Sequence, residues 1–502
     1  MQETVTTLVL VSGSVVAAVL ATLGMAGAVH VTSRRDSGFM HIIFYAMLFT
    51  VVLTSLLSGR DLSSTAQLTT DVTPVAPPRH PLMDVLQPLI SLMILAVSAE
   101  RIVTHWLLRE RATAPPLMLV AFIVFWLTTV VSPALFGAHP KFTHDYVYAL
   151  VIGVAAALAS SLERDEAIKA TRNGLLVIMV LSLLLIPIQP RMVMDMAYNQ
   201  GLLPGVPRLA GITPHAVTLG LMAQLGLLLL LARPYERRWL NRCAWLVISL
   251  TLFLAQSKTA WLAFLICSGA MMLVRHTPGW WRRVGDPLHP GVGLVSVLGF
   301  MLGVLLLALV FMFGDVGGRL SNFFSTPEGA QLASLTGRDR IWAIAWEEWR
   351  RNPVFGYGPS IWNEEFRAII GMSNATHAHN QFMDTLSRAG TVGATGLVFY
   401  AVVLLGMSLR FARATGGLSM ALFLALFLRA VSEVPMIMFG YGPDLVIHVL
   451  LLMVLAAAAH EARLATAAHR RAEPAFDQAP SSSPHPHPHP HPNSFANPGY
   501  SP

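Results

Sequence analysis

The sequence predicts an all-α, polytopic membrane protein with about 12 transmembrane helices. The chain has 502 residues, of which 54% are hydrophobic and only 12% are charged, and its mean hydropathy is +0.58. Its apolar runs alternate with short clusters of arginine and lysine, and each crossing of a bilayer needs about 20 apolar residues. This composition excludes a water-soluble enzyme carried by a small membrane anchor.

The apolar runs give thirteen candidate crossings, several of them short, so that 12 spans fit the sequence equally well. The first run has no basic segment before it, which disfavours a cleaved signal peptide over residues 1–30. In chain order the candidates are 4–30, 40–57, 82–100, 115–137, 146–162, 174–189, 214–232, 243–257, 260–274, 292–314, 392–409, 417–436 and 444–460.

Positive charge sets the expected orientation. The formal net charge is +7 and the pI is near 9.7, but the cations fall in alternate loops rather than in one patch, which disfavours nucleic acid as a partner. The strongly basic loops, such as the one with Arg164, Lys169 and Arg172, are predicted to be cytoplasmic. The long hydrophilic segment near the C-terminal third then lies outside.

Four regions follow from this topology. Residues 1–314 are predicted to form transmembrane helices with short loops, 315–391 a large outer loop with amphipathic helices, 392–460 the last transmembrane helices, and 461–502 a disordered cytoplasmic tail. The tail ends in a His-Pro repeat that favours an inert extended chain over a weak metal site.

Two cysteines, Cys243 and Cys267, lie in apolar runs, so neither a disulfide framework nor a cysteine-based zinc site is expected.

The outer segment contains a tryptophan-rich sequence, TGRDRIWAIAWEEWRR, at 336–351. At helical spacing Trp342, Trp346 and Trp349 share one face with Ala345, which predicts an amphipathic helix in the outer membrane interface. Arg338 precedes Trp342 by four residues and projects from the same face. It either snorkels at the end of the helix or binds an anion in a cavity below it.

A second helix is predicted over Thr376–Ala389, closed by Gly390. There His379 shares the apolar face, while His377 lies about 200° away and should be more exposed. A lone histidine on an apolar face is either a core residue or a functional one. Two histidines at i and i+2 on one regular helix cannot share a metal, so a metal site is disfavoured.

Two further cations, Arg208 and Lys258, stand at the outer edges of predicted spans, where a charge is expensive unless it meets an anion or water. The alternative is that the side chains of Arg208 and Lys258 snorkel to the membrane interface and bind no ligand. Together with Arg338 and His379 they form a set that suits a phosphate or diphosphate ligand and a proton acceptor. The chemistry that fits is transfer from a lipid diphosphate to a hydroxyl, with the arginines stabilising the leaving group.

One motif makes this more specific. His379-Asn380, nine residues, and then Gly390-x-x-Gly393 resembles the pattern of the bacterial O-antigen ligase and polymerase-like superfamily. Three other segments resemble the same superfamily in its order. They are RLAGITPHAVTLG from Arg208, SKTAWLAF from Ser257, and TGRDRIW from Thr336 followed by NPVFGYGP.

The resemblance implies a GT-C-like glycosyltransferase in the bacterial inner membrane. It would join undecaprenyl-diphosphate-linked O-polysaccharide to the lipid A core on the periplasmic face, with inversion and with no metal or cofactor. His379 would be the base or would orient the acceptor, and Arg208 and Arg338 would bind the diphosphate. Lys258 replaces the commoner arginine of its motif, which removes the bidentate grip. The supporting residues would be Asn380, Gly390, Gly393, His377 and Trp342.

Two alternatives stay open. A protein O-oligosaccharyltransferase or an O-antigen polymerase would use the same donor with another acceptor; the ligase is favoured because the outer loop is a single modest insertion that carries the nine-residue spacing. An anion transporter would also have many spans and cations, but no internal repeat is visible. Arg429 and Glu433, at i and i+4, are the best candidates for the buried charged pair that a transporter would need. The other reading is that they brace helices or the outer cavity.

Overall fold

In the computed structural model the chain is overwhelmingly helical. The structure describes residues 22–34, 38–62, 80–107, 116–196, 206–284, 338–372 and 375–472, with the single positions 19 and 295. The described residues up to Glu461 form one compact unit, and those from Ala462 form a second. Two short strands, Met194–Asp195 (β1) and Arg208–Leu209 (β2), pair antiparallel, with Asp195 opposite Arg208.

The helices follow the apolar runs of the sequence. Helix α1 covers 22–34, and the others are α2 His41–Leu57, α3 Pro81–Leu107, α4 Pro116–Trp126, α5 Ser132–Phe136, α6 Asp145–Ala157, α7 Ser161–Leu184, α8 Pro190–Val193, α9 Ala216–Ala232, α10 Arg238–Leu254, α11 Lys258–Val284, α12 Arg338–Arg351, α13 Glu364–Ile369, α14 Gln381–Arg410, α15 Leu418–Ser432 and α16 Pro443–Ala472. A π-helical turn, Leu127–Val131, joins α4 to α5.

Six segments among the described residues are long and apolar enough to cross a membrane: Pro81–Leu107, Pro116–Phe136, Ser161–Leu184, Lys258–His276, Gln381–Arg410 and Pro443–Ala468. Four shorter apolar helices accompany them: α2, α6, α9 and α15. The predicted helical, polytopic architecture is thereby confirmed, while the total of about 12 spans stays a prediction. The candidate crossing at 292–314, apart from position 295, and the outer loop at 315–337 lie outside the described residues.

The charged stretch around 163–172 is helical, which corrects the prediction of a loop there. Ser160 and Glu163 form a capping box, in which the Ser160 hydroxyl accepts the Glu163 N–H and the Glu163 carboxylate accepts the Ser160 N–H. Glu163 is fully buried and pairs with Arg101 of α3, the two charged groups lying 3.3 Å apart. The basic cluster is therefore the first half of α7, because a strong N-cap and a buried ion pair extend the helix beyond its apolar run.

The last helix also extends further than predicted. Helix α16 continues to Ala472, so that residues 461–472 of the predicted disordered tail are helical. The reason is local composition, since the sequence HEARLATAAHRRA is rich in strong helix formers. The His-Pro repeat lies outside the described residues.

Gly390 produces a sharp bend inside α14. Its φ of 64° and ψ of −163° belong to a region that glycine alone adopts freely, and the bend lets Thr391 donate its N–H to the Pro353 carbonyl at 2.8 Å. A Cβ at this position would lie 2.3 Å from the Val354 carbonyl oxygen. The predicted helix end at Gly390 is thus a kink within one long element.

We expect Gly390→Ala to destabilise the fold by at least about 1–3 kcal/mol, because alanine meets both the forbidden dihedral angles and the Val354 carbonyl. The melting temperature of the purified protein in detergent would report the loss. Gly406→Ala in the same helix is the matched control, since nothing lies within 4 Å of its added Cβ. Equal melting temperatures for the two variants would contradict the assigned role of Gly390.

Candidate functional site

One large cavity gathers four of the predicted site residues. Its volume is about 750 Å³, and Arg208, Arg338, His377 and His379 all line it. Together its walls contain four arginines and three histidines against three carboxylates. A cavity of this size and charge suits a bulky anion such as a diphosphate with part of its attached group.

The two histidines lie on a turn rather than on a helix, which corrects the predicted helical phase. Helix α14 begins only at Gln381, and its N-cap is Asn380, whose side chain accepts the Met383 N–H at 3.0 Å. His379 has a positive φ of 47°. As a result the two rings face the same cavity with their centroids 4.2 Å apart, and the expectation that His377 is the more exposed was wrong: the side chains of His377 and His379 are 23% and 27% exposed.

The histidine turn is fixed from several sides. The Trp342 indole donates to the carbonyl of Ala378, between the two histidines, at 2.8 Å. The buried Asp384 accepts the Ala378 N–H at 3.1 Å, and the Asn380 amide donates to the Val431 carbonyl at 3.2 Å. A non-glycine residue at positive φ costs about 1–3 kcal/mol and persists only where its surroundings impose it, which is typical of functional sites.

Glu433, the first residue after α15, completes the arrangement. Its Oε2 lies 3.2 Å from Nδ1 of His379 and 3.5 Å from Nε2 of His377, while its Oε1 lies 3.7 Å from the Arg338 guanidinium. A carboxylate accepts hydrogen bonds, so His379 carries its proton on Nδ1 and leaves the lone pair of Nε2 available. This is the relation of an acidic residue to a general base.

The charge state of Glu433 follows from its neighbours. Burial by itself would raise the pKa of the Glu433 carboxyl, but the hydrogen bond from His379 and the favourable electrostatic interactions with His379, His377 and Arg338 outweigh burial and hold this pKa below its usual value. Burial and the neighbouring His379 lower the pKa of His377. At neutral pH Glu433 is therefore an ionised carboxylate and His377 is a neutral imidazole.

We expect Glu433→Gln to lower the turnover of this site on the order of 10²-fold. Loss of the buried carboxylate in a catalytic triad costs about 10⁴-fold, and Glu433 is 21% exposed, so that water replaces part of its effect. A stability measurement tests the same assignment. A depressed carboxyl pKa stabilises the fold fully above the unfolded value of about 4.3 and loses that effect as the pH falls through the folded pKa.

The melting temperature of Glu433→Gln should therefore approach that of the wild type as the pH falls from about 4.3 through the lower folded pKa of Glu433, below which both proteins carry a neutral side chain. Glu347→Gln, on the exposed side of α12, is the control and should keep wild-type turnover. A constant difference in melting temperature across pH, with unchanged turnover, would remove Glu433 from the site.

His377, His379 and Glu433 also have the residue types and the spacing of a metal site, since one ligand atom from each lies within 4.8 Å of the others. The premise that these two histidines cannot converge was thus wrong. Their hydrogen bonds nevertheless favour proton chemistry. The His379 backbone N–H donates to Nδ1 of His377 at 3.1 Å, which places the His377 proton on Nε2, the atom that faces Glu433. Both rings then present protons to the carboxylate instead of the lone pairs that a metal requires.

Hydrogen bonds fix the backbone segments before and after Arg208, which places this residue at the cavity wall. It is only 8% exposed, and its Nε lies 3.4 Å from the Ala255 carbonyl. The Gln256 amide donates to the Val206 carbonyl at 2.9 Å, just before β2. Arg60 donates to the carbonyl oxygens of Met192, Gly211, Thr213 and Pro214 and so clamps the segment that follows Arg208.

Arg338 is the first residue of α12 and lines the same cavity as Arg208 and the two histidines. The helix was predicted with a face of tryptophans, but the face that is buried consists of Ile341, Ala345 and Glu348. Trp346 is 43% exposed. The tryptophan face contributes the hydrogen bond from Trp342 described above and a second contact, in which the Trp349 indole N–H donates to the Pro353 carbonyl at 3.1 Å and to the Thr391 hydroxyl at 3.3 Å.

Lys258 does not join the other cations. It is exposed at the first residue of α11 and does not line the cavity. Its neighbour Gln256 instead supports the strand that carries Arg208. The SKTA segment therefore contacts the site through residues other than its lysine, and a diphosphate-binding role for Lys258 has no support from this geometry.

Sequence reasoning missed three contributors to the site: Glu433 as the partner of both histidines, His215 in the cavity wall, and Arg60 as the clamp of the Arg208 segment. His215 stands directly before α9, where burial and the nearby Arg60 lower its pKa, so that it is neutral at pH 7. A signal was present for Glu433, since it was recognised as a charge near the end of a span. Its pairing with Arg429 was the wrong guess, because Arg429 pairs with Asp444.

A family of known proteins matches part of the chain. Residues 243–398 match the family model described as O-antigen ligase. The match confirms the predicted resemblance to the O-antigen ligase superfamily over this region. Members of the family are glycosyltransferase-like enzymes that act on polysaccharides. The matched region contains His379 and Arg338, whereas Arg208 and Glu433 lie outside it.

No curated protein sequence matches the chain. One solved structure that matches belongs to a report titled "Structural coordination of polymerization and crosslinking by a peptidoglycan synthase complex". It is 17% identical, covers 69% of this chain and 97% of the matched chain, and superposes with a TM-score of 0.34. Similarity at this level supports no conclusion about fold or function.

Proposed function

We propose that this protein is an O-antigen ligase. It would transfer O-polysaccharide from undecaprenyl diphosphate to the lipid A core oligosaccharide, at the periplasmic face of the bacterial inner membrane. The observation that carries the proposal is one cavity in which a carboxylate-bound histidine faces two arginines from distant parts of the chain. The family match over 243–398 supports the same reaction class.

The reaction follows from the roles of these groups. A hydroxyl oxygen of the acceptor attacks the anomeric carbon of the first donor sugar, and the bond from that carbon to the diphosphate oxygen breaks with inversion. The hydroxyl proton moves to Nε2 of His379, while Glu433 stabilises the imidazolium that forms. The electron pair leaves with undecaprenyl diphosphate, whose growing charge Arg208 and Arg338 neutralise.

This step requires no metal, because the two guanidinium groups supply the positive charge that a divalent ion would otherwise bring. Transfer should therefore continue in EDTA at close to its full rate. Inhibition by EDTA that a divalent ion restores would instead favour a metal held by His377, His379 and Glu433.

The deciding experiment uses the purified protein, the lipid-diphosphate glycan and two acceptors, lipid A core and a serine-rich protein. We expect glycosylated lipid A core. Modification of the protein acceptor would indicate an O-oligosaccharyltransferase, and extension of the donor glycan by itself would indicate a polymerase. Absence of every product, together with measurable anion flux through proteoliposomes, would favour a transporter.

A further inference from the structure

Glu433 lies where the chain leaves a helix. Helix α15 ends at Ser432, and the backbone of Glu433 is extended, with a φ of −146° and a ψ of −174°. Residues 433–442, up to the start of α16, are not helical. A residue at the frayed end of a helix receives few restraints from that helix. Contacts with other segments therefore decide where the Glu433 carboxylate points.

Two consecutive side chains at the start of α14 supply such contacts. The Asn380 amide donates to the Val431 carbonyl at 3.2 Å, two residues before Glu433. The Gln381 side-chain oxygen, Oε1, accepts the Met436 N–H at 2.8 Å, three residues after Glu433. The two residues that directly follow His379 thus hold the chain on both sides of Glu433.

The contact made by Gln381 is buried and fixed in orientation. Gln381 is 4% exposed and Met436 is 7% exposed. Nε2 of Gln381 donates to the Thr385 hydroxyl, one helical turn further on, at 3.1 Å. With the amide turned the other way, two N–H donors would face each other at Met436, so Oε1 is the atom that points there. A buried backbone N–H that loses such a partner is not readily satisfied by water.

This hydrogen bond runs parallel to the contact between the proposed base and its carboxylate. Gln381 and Met436 are 55 positions apart in the chain, and His379 and Glu433 are 54 apart. The two contacts join the same two segments, and Nδ1 of His379 lies 3.2 Å from Glu433. Chemistry at a positioned group is sensitive to small errors, since a displacement of about 1 Å costs on the order of 10²-fold in rate.

We propose that Gln381 is a positioning residue, whose side chain fixes the distance between Nδ1 of His379 and the Glu433 carboxylate. The assignment rests on the proposed glycosyl transfer, because Gln381 acts through the proposed base. Gln381 is the first of the nine residues between Asn380 and Gly390, a position that the motif leaves open. It does not line the cavity of the candidate site. Its effect should therefore appear in the chemical step and not in substrate binding.

The test uses Gln381→Met, which keeps the length of the side chain without its polar atoms, and Gln381→Asn, whose amide is one methylene group too short to reach Met436. Initial rates of transfer are measured with the lipid-diphosphate donor varied. We expect kcat to fall about tenfold, because the base loses its alignment. The donor KM should stay within about twofold of the wild-type value, since other segments hold the two arginines. Gln224→Met, at a buried glutamine of α9 outside the cavity, is the matched control and should keep wild-type kinetics.

A double-mutant cycle distinguishes positioning from a general structural defect. In the Glu433→Gln background, Gln381→Met should lower kcat by less than about twofold, because the contact that it positions is already lost. A tenfold loss in both backgrounds would show that Gln381 acts independently of Glu433 and would overturn the proposal. Melting temperatures of all variants are measured alongside, and Gln381→Asn replaces Gln381→Met in the cycle if the methionine variant does not fold.

An NMR measurement separates this inference from the proposed function. In protein labelled with ¹⁵N at histidine, the signal of the proton on Nδ1 of His379 is identified by its absence in His379→Ala. Its hydrogen-bonded, downfield shift should be lost in Gln381→Met and kept in Gln224→Met. If the wild type transfers no glycan but this signal depends on Gln381, the proposed function fails and the positioning role stands. If the wild type is active while both Gln381 variants keep wild-type kcat and this signal, the positioning role is wrong and the proposed function is unaffected.

Discussion

His379→Ala should abolish detectable glycan transfer while the protein remains folded. A positioned general base contributes about 10²–10⁴-fold to such a reaction, and in this site His379 is the histidine whose Nδ1 lies 3.2 Å from Glu433, with the second ring nitrogen left to accept a proton. The measurement is the initial rate of glycan transfer from the lipid-diphosphate donor to lipid A core by purified protein. A melting temperature close to that of the wild type would show that the loss is chemical.

His276→Ala is the matched control for this variant, since His276 is exposed near the end of α11 and outside the cavity. It should retain wild-type activity. Full activity of His379→Ala would remove the assignment of the base. His377→Ala should have a smaller effect, because its Nε2–H only supports the carboxylate that orients His379.

Arg208→Ala and Arg338→Ala should each lower kcat/KM for the lipid-diphosphate donor by about 10- to 100-fold. A charge-assisted hydrogen bond is worth about 1.5–3 kcal/mol, and each guanidinium faces the cavity in which the diphosphate is proposed to bind. The KM for the acceptor should change little. Arg208→Lys should recover only part of the loss, because an ammonium group cannot grip a phosphate with two parallel hydrogen bonds.

Two exposed arginines provide the controls. Arg350→Ala lies on the same helix as Arg338, and Arg191→Ala lies in the short helix before β1; both should use the donor as the wild type does. Arg208 is buried, so its alanine variant is compared at matched melting temperature and together with Arg208→Lys. Unchanged donor kinetics for both Arg208→Ala and Arg338→Ala would contradict the diphosphate site. Lys258→Ala should have no effect, given its exposed position outside the cavity.

Local sequence patterns predicted much of this molecule correctly. Apolar runs of sufficient length must become helices in a membrane, because every backbone polar group needs an internal partner there. The amphipathic pattern after Thr336 predicted α12, and the glycine at position 390 marked the end of the first straight segment of α14. The same local patterns failed at Ser161, where a capping box and a buried ion pair extend the helix into charged sequence.

Local sequence patterns identified only part of the candidate site. Arg208, Arg338 and His379 were identified as charged or titratable groups at the edges of apolar segments, and the cavity contains all three. Lys258 met the same criterion and points elsewhere, because the rule places a residue near an interface without fixing the direction of its side chain.

By itself, the sequence determined the helical membrane architecture and the residue types available for anion binding and proton transfer, since periodicity and charge act over a few neighbouring residues. Only the tertiary structure decided which of those residues meet. Glu433 reaches His379 across 54 positions of the chain, and His377 faces the same carboxylate only because His379 adopts a positive φ before the cap of α14. Contacts between segments so far apart depend on helix packing and backbone strain, which no local pattern encodes.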